Sequence, residues 1–443
     1  MEKTSIEIVK DLKSHGFEAF WAGGTVRDLL MGKTPQDYDI VTSAKPDQIE
    51  NILEKTIPIG KKFGVILAIK NGHHFEVATF RSDSSYTDGR RPDAVYFTNA
   101  KEDALRRDFT INGMFYDPIT KKVFDFVDGQ EDLKNKILRF IGDPEERIKE
   151  DNLRILRAIR FKNAMCLKYA PQTFKAVKKN ACLITNVSCE RIRDELTKIL
   201  MLPGREEALR ELDRSGVLKY ILPELLRLKG VKQPEKYHKE GDVFEHTILC
   251  LKALPDKISP EIAWATLFHD IGKPDTFAVE DRIRFNQHAK VGSEIVDKIA
   301  KRLKFSKELR ENIKWIVKHH MVLGDIPKMK KTRQLHWISN PLFPELLEVL
   351  RADALGAKPK DLSLYLELKN LLEEQKEKLL PMPEKLLAGD EIIKKFHISE
   401  GPKIGIILEK VHHAQLEEKI KTKEEALNFV KNLIKQNDQK RRY

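Results

Sequence analysis

The sequence predicts an α+β amino-terminal head (a mixed sheet with helices), followed by an all-α neck, body and tail. Three observations carry that reading. The stretch "VILAIKNGHHFEVATFR" (65–81) sets two apolar runs around an Asn-Gly pair, which favours a hairpin with a type I′ turn. From about residue 139 onward, "EDNLRILRAIRF" (150–161), "CERIRDELTKIL" (189–200) and "REEALRELDRSGVL" (205–218) repeat apolar residues at the helical period. At 443 residues the chain exceeds what one core serves, and breaks near 142–147, Pro203-Gly204, 229–241 and 356–360 divide it. The expected units are a head at 1–138, a neck at 139–225, a body at 226–355 and a tail at 356–443.

The opening "MEKTSIEIVKDLKSHGF" reads as an amphipathic helix, not a signal peptide. In "AGGTVRDLLMGKTPQDYDIV" (22–41), Gly23 and Gly24 precede a short helix ended by Gly32. Such glycines let backbone approach a phosphate, and Arg27 adds a fork of donors. Asp37 and Asp39 flank Tyr38 in a segment that continues "IVT", a strand, so both carboxylates project from one face. A hard cation such as Mg²⁺ takes oxygen ligands of this kind. Glu76, on the second strand of the hairpin with Phe75 and Val77 pointing the other way, is the candidate third acid. Piece by piece these features equally describe an ordinary turn and an acidic strand rim. Asp151, Arg154, Arg157 and Arg160 recur every third residue and form one stripe along a helix. Alone, that stripe reads as a salt bridge and a solvated basic face.

The net charge of +12 suits a polyanionic partner, though a Lys/Glu-rich solvated surface gives the same balance. The segment 298–333 concentrates twelve Lys and Arg against three acids. Cys166, Cys182, Cys189 and Cys250 form no CxxC pair and no secreted disulfide framework. No apolar run approaches the roughly 18–20 residues needed to span a bilayer. The expected compartment is the cytoplasm, with no membrane partner and no obligatory protein partner.

As an ordered set, these motifs resemble the nucleotidyltransferase head of class II tRNA CCA-adding enzymes and bacterial poly(A) polymerases, within the polymerase β superfamily. "GGTVRDLLMGKTPQDYDIV" matches the head signature, "DGRRP" (88–92) the mobile loop, and "RRDFTINGM" (106–114) the arginine-aspartate motif. "EDNLRILRAIRF" matches the nucleotide-selecting helix and "SCERIRDEL" (188–196) the neck motif. The resemblance implies Asp37 and Asp39 as Mg²⁺ ligands and catalytic residues with Glu76. It implies Gly24, Arg27 and Arg107 as contacts to the triphosphate or sugar. Asp151 and Arg154, with Arg157 and Arg160 on the same stripe, would serve as a protein template. A carboxylate accepts from the exocyclic amines of cytosine and adenine while a guanidinium donates to ring acceptors, and uracil and guanine present the reverse. Gly113 stands where the family pattern has alanine.

The implied activity is addition or repair of the tRNA 3′-terminal CCA from CTP and ATP, with tRNA bound through its acceptor end and elbow. The intact loop at 82–95 favours a full CCA-adder over a CC-adding enzyme, in which this region is shortened. An A-adding enzyme and a poly(A) polymerase share the same head motifs and are less favoured.

The body holds "VFEHT" (His246), "LFHDIGKP" (His269, Asp270), "NQHAKVG" (His288), "VKHHM" (His319, His320) and "RADALGA" (Asp353). The ordered set resembles the HD superfamily of metal-dependent phosphohydrolases. It implies a first metal site of His246, His269, Asp270 and Asp353 and a second drawn from His288, His319 and His320. Imidazole with carboxylate suits Mn²⁺, Ni²⁺, Fe²⁺ or Co²⁺. A plainer reading makes these histidines helix-packing residues. A competing reading from a different class makes the chain mainly such a phosphohydrolase, acting on RNA ends.

Overall fold

The computed structural model describes residues 1–84, 94–234, 238–378, 386–399, 401–416 and 419–439. The "DGRRP" loop and most of the 82–95 segment, on which the distinction between full and partial CCA-adders rests, lie outside the described residues, as does the end of the basic "QKRRY" terminus. The chain divides into two compact units: Met1–Arg227 with Ile299–Phe305, and Leu228–Lys298 with Ser306–Tyr443.

The first unit opens with an α+β head. Its strands are β1 (Ala19–Ala22), β2 (Ile40–Thr42), β3 (Thr56–Gly60), β4 (Val65–Lys70), β5 (His73–Thr79), β6 (Arg81–Asp83), β7 (Val95–Phe97), β8 (Met114–Asp117) and β9 (Lys122–Asp125). Seven of them form one sheet in the order β3-β4-β5-β2-β1-β8-β9, and β6 pairs with β7 in a separate ribbon. The sheet is mixed because β2 runs parallel to β5 while β1 is antiparallel to both β2 and β8. β4 and β5 close through Asn71 and Gly72, both at positive φ (51° and 75°), the backbone a type I′ turn requires.

Helices α1 (Glu2–Ser14) and α3 (Pro46–Ile52) cover one sheet face, where Ile8, Leu12, Ile49, Ile40, Phe75 and Val77 share a core; the short α2 (Gly24–Leu30) lies between them in sequence. The other face packs Phe20, Val41, Phe80 and Phe115 against Ala100 and Ala104 of α4 (Ala100–Leu105). After α5 (Gly129–Lys134), the neck is not the all-α unit expected: Lys168–Tyr169 pairs in parallel with Ile137–Leu138, and the rest is helical, with α6 (Pro144–Glu150), α7 (Arg154–Ala164), α8 (Pro171–Lys179), α9 (Cys189–Met201), α10 (Arg205–Arg214), α11 (Leu218–Ile221) and α12 (Pro223–Leu226).

One expectation is corrected here. Residues 150–161 are not one helix: α6 ends at Glu150, Asp151 is extended (φ −141°, ψ 103°), and α7 begins at Arg154. The Asp151 carboxylate accepts from the Leu153 N–H (3.1 Å), a local turn that competes with the helix.

Among its described residues the second unit is helical apart from a two-stranded ribbon, Phe277–Val279 with Ile283–Phe285. Helices α13 (Val243–Ala253), α14 (Pro260–Phe268), α15 (His288–Arg302), α16 (Lys307–His319), α17 (Lys331–Ile338) and α18 (Phe343–Gly356) form the body, in which α13 and α14 both pack against α18. After α19 (Ser363–Lys378), helices α20 (Gly389–Phe396), α21 (Pro402–Leu416) and α22 (Lys423–Gln439) enclose a separate apolar cluster including Ile392, Val411 and Val430. Among the described residues no helix is long and apolar enough to cross a membrane.

Candidate active site and metal centre

The first unit carries an open cleft of about 740 Å³ where head and neck meet. Its acidic side comes from the segment that leads into β2. Asp37 and Asp39, expected on the strand, stand just before it, Asp37 in a bend; even so, burial alternates through this segment, with Tyr38 and Ile40 buried and both aspartates exposed. The register Ile40↔Val77 sets Asp39 beside Glu76, which is exposed between buried Phe75 and Val77. Thr25 Oγ1 donates to the Asp37 carbonyl (3.1 Å) and accepts from the Asp39 N–H (3.1 Å), fixing the acidic segment to the helix that follows β1. Desolvation in the cleft, then the charge of Glu76, holds the Asp39 carboxyl above its ordinary range; Asp37 adds to this and Arg107 opposes it. Three carboxylates on one face call for a cation. They are not gathered into a closed ligand set, as suits Mg²⁺, which uses one or two carboxylates together with substrate phosphates and water.

The walls are basic. Eight Arg and Lys line the cleft (Arg27, Arg81, Arg106, Arg107, Arg154, Arg157, Arg160 and Lys198), against four Asp (37, 39, 108 and 151). The guanidiniums of Arg27, Arg157 and Arg160 all lie over the Phe161 ring, with centroid distances of 5.4, 5.2 and 4.2 Å. Like charges so close favour an anionic occupant. Arg107 is aimed by Asp103 (Nη2 to Oδ2, 3.0 Å) and stacks on Phe115 at 5.0 Å. Arg27 donates to Asn112 Oδ1 (2.8 Å) and Asp28 Oδ1. Gly23 has φ +62°, and a Cβ there would stand 3.1 Å from Arg107 Nη1, so the first glycine of the pair is the constrained one; Gly24 also lines the cleft.

From the neck, Asp151 Oδ2 accepts from Arg191 (2.8 Å). Arg154 donates to Glu150 Oε2 (2.5 Å) and to the carbonyls of Arg147 and Arg106. Arg160 pairs with Glu195 (2.5 Å). Although Asp151 precedes α7, it reaches the same cleft as the three arginines.

The second unit gathers a different chemistry. His246 from α13, His269 and Asp270 after α14, and Asp353 from α18 converge. His246 Nε2 is 2.9 Å from Asp353 Oδ1 and 3.8 Å from Asp270 Oδ2, and His269 Nε2 is 3.3 and 3.9 Å from Asp270 Oδ2 and Asp353 Oδ1. Ligand atoms about 2.1 Å from one ion stand roughly 3 Å apart across a right angle, close to these spacings. His288 and His320 extend the cluster: His288 Nε2 is 3.5 Å from Asp270 Oδ1 and 3.1 Å from His320 Nε2.

The histidine Nδ1 atoms are all engaged: His269 with the Thr266 carbonyl (2.8 Å), His288 with Phe285 (2.8 Å), His320 with Val317 (2.7 Å) and His246 with Glu240 Oε1 (2.9 Å). Those acceptors place a proton on each Nδ1 and, for His269, His288 and His320, turn the Nε2 lone pair inward, an arrangement a cation satisfies; His246 Nε2 instead faces the Asp353 carboxylate at hydrogen-bond distance. Burial, then the charges of His269 and His288, pushes the His320 imidazole down to about 3. Burial also acts on Asp353, but the hydrogen bond and charge of His246 prevail and hold it below the usual carboxylate range.

Three segments match known family descriptions: residues 19–139 the "Poly A polymerase head domain", 166–228 the "Probable RNA and SrmB- binding site of polymerase A", and 243–362 the "HD domain". The head is thus similar to the poly A polymerase head domain. Over 226 residues the chain is 41% identical to the CCA-adding enzyme of Staphylococcus aureus (strain Mu3), covering 50% of this chain and 56% of that protein. Over 219 residues it is 41% identical to that of Ligilactobacillus salivarius, covering 49% and 54%. The chain thus spans about half the length of the curated relatives it matches. The Bacillus stearothermophilus CCA-adding enzyme solved with CTP aligns with 99% of this chain and 98% of its own, at 26% identity and a TM-score of 0.69. The Thermotoga maritima CCA-adding enzyme complexed with tRNA shares the fold at 21% identity and a TM-score of 0.55, covering 98% and 95%. The head and HD families imply divalent metal use.

Around these polymerase-type and HD sites, several residues escaped the sequence reading. Thr25, Asp103, Asp108 and Asn112 orient the head's charged groups; Thr25 lies inside the glycine motif and Asp108 and Asn112 inside "RRDFTINGM", whereas Asp103 had no local signal. In the HD body, Cys250 Sγ lies 3.4 Å from His246 Nε2, and Lys273 Nζ lies 2.6 Å from Asp270 Oδ2. His319 departs from expectation. Adjacent to His320 in sequence, it faces the other way, donating to the Trp315 carbonyl and packing against Trp315 and Trp337 at 4.7 and 5.3 Å. It stands outside the ligand sets.

Proposed function

We propose that this chain is a tRNA nucleotidyltransferase that builds or repairs the 3′-terminal CCA from CTP and ATP without a nucleic-acid template. One observation carries the reading: a single cleft lines up Asp37 and Asp39 with Arg27, Arg107, Asp151 and Arg154. In this reading residues 1–138 are the catalytic head, 139–225 the neck that selects the nucleotide, 226–355 the HD body and 356–443 a tail that grips tRNA, all acting in the cytoplasm.

Asp37 and Asp39, with Glu76 beside them, would hold Mg²⁺, which when bound favours ionisation of the tRNA 3′-hydroxyl and offsets charge on the departing pyrophosphate. The chain's own groups do the rest. Arg27 and Arg107 donate to the triphosphate, and Asp103 and Asn112 hold those guanidiniums in place so that little ordering is left for the moment of binding. Asp151 accepts from the exocyclic amine of C or A, and Arg154 donates to the ring acceptor. Exchange of Arg191 for the base amine frees Asp151 for this task. The exposed Lys318, Lys328, Lys330, Lys331 and Arg333 supply phosphate contacts along the RNA backbone.

Incorporation of labelled CTP and ATP into tRNA lacking its 3′ end tests this reading. An Asp37→Ala, Asp39→Ala double variant must lose it entirely, and retained incorporation means the site lies elsewhere.

A second reading, a phosphohydrolase in the body, is favoured by the inward Nε2 atoms beside a cleft of about 510 Å³ to which Lys273, Arg282 and Arg284 bring positive charge. His246, His269, Asp270 and Asp353 would hold a first-row divalent ion such as Mn²⁺, Ni²⁺, Fe²⁺ or Co²⁺, with His288 and His320 at a second position. Phosphate release from 2′,3′-cyclic AMP should vanish in Asp270→Ala while nucleotide addition persists.

A further inference from the structure

We propose that Cys250 is a further metal ligand in the body, joining His246, His269 and Asp353, so that the site takes a thiophilic ion, Zn²⁺ or Co²⁺, in preference to Mg²⁺ or Mn²⁺. This rests on reading the body as a metal site.

Cys250 follows His246 by one turn of α13, so both project from the same side of the helix. It is fully buried, and its Sγ lies 3.4 Å from His246 Nε2. One donor atom from each of the four residues lies within 4.8 Å of the others. Tetrahedral Zn²⁺ with Zn–N near 2.1 Å and Zn–S near 2.3 Å separates such atoms by roughly 3.5 Å, so a small contraction closes the set. One further feature points to an ion rather than to packing. His269 Nε2 is buried without a hydrogen bond and is aimed at the set, its Nδ1 being already engaged by the Thr266 carbonyl. Across from the thiol, α18 presents Gly356, where a Cβ would stand 2.5 Å from Sγ. The facing helix leaves room for sulfur and for nothing larger. Thiolate is the softest donor in the cluster and shifts preference toward Zn²⁺ and Co²⁺. Forming the metal–sulfur bond releases the thiol proton to water.

The test uses the full chain, stripped with chelator and reloaded with one equivalent of Co²⁺ in excess Mg²⁺. A near-ultraviolet thiolate-to-cobalt charge-transfer band is expected, lost in Cys250→Ser and in His269→Ala but retained when Cys166, Cys182 and Cys189 are replaced together by serine. Zn²⁺ affinity should fall about tenfold or more in Cys250→Ser, with Mn²⁺ affinity little changed. X-ray absorption of the Zn²⁺ form should show one sulfur at about 2.3 Å. Matching circular dichroism and melting of the metal-free forms guards against a merely misfolded variant. Co²⁺ bound in the body without the band, or a band unchanged in Cys250→Ser, overturns the assignment of Cys250 and leaves the metal reading standing. Failure of the body to bind Co²⁺ or Zn²⁺ at all overturns both.

Discussion

Arg157, on the neck helix α7, donates from Nε and Nη2 to Oδ2 of Asp108 in the head at 2.9 and 2.5 Å. Asp108 also accepts from Asn112 Nδ2 (3.1 Å), whose Oδ1 receives Arg27. A continuous chain therefore runs from α7 to Arg27. Burial alone would raise the Asp108 carboxyl, but the Arg157 charge and the two hydrogen bonds depress it.

A depressed carboxylate contributes stability above its unfolded value of about 3.9 and loses it as pH falls through the folded value. Asp108→Asn should therefore cost roughly 1–3 kcal/mol at pH 7, with the gap closing below about pH 4. Denaturant unfolding of both proteins across pH reads this directly; a gap that stays constant on acidification contradicts the ion-pair account.

Thr25→Val keeps the shape of a buried side chain and removes the hydroxyl that joins the Asp37 carbonyl to the Asp39 N–H. The loss expected is about 1–3 kcal/mol of stability, with kcat for nucleotide addition reduced and KM for CTP nearly unchanged. A variant that raises KM alone would place Thr25 in nucleotide binding instead.

Asp151→Ala removes the acceptor assigned to the base amine while leaving α7 intact, since Asp151 lies before the helix. Discrimination of CTP over UTP should fall on the order of 10–100-fold. Unchanged discrimination would make Asp151 a partner of Arg191 only.

The exposed basic residues of the body are tested by salt. Replacing Lys330, Lys331 and Arg333 with alanine should reduce the slope of log affinity against log salt for tRNA by roughly two to three. If all three changes leave the slope intact, RNA passes elsewhere.

Legibility in the sequence followed locality. Asn71-Gly72 announced its own turn, while the pattern that set Asp37 and Asp39 on a strand ran ahead of β2, which starts only at Ile40. Asp151 misled because a three-residue spacing looks helical whether or not the backbone between its members is continuous. Asp103, Asp108 and Asn112 carry meaning only through partners supplied by folding, such as Arg157, 49 residues along the chain from Asp108. His319 and His320 are neighbours on a helix end, so only one can face the cluster. Cys250 had a readable signal, a second soft donor one turn after His246, that a search for the family's own ligands passes over.

The central claim is template-free building of CCA in the head cleft, and product length on a defined tRNA tests it most directly. End-labelled tRNA truncated before the CCA, incubated with CTP and ATP, should gain three nucleotides, C, C and A, and stop there. Arrest at two nucleotides with both substrates present, a long A tail, or no extension would contradict it.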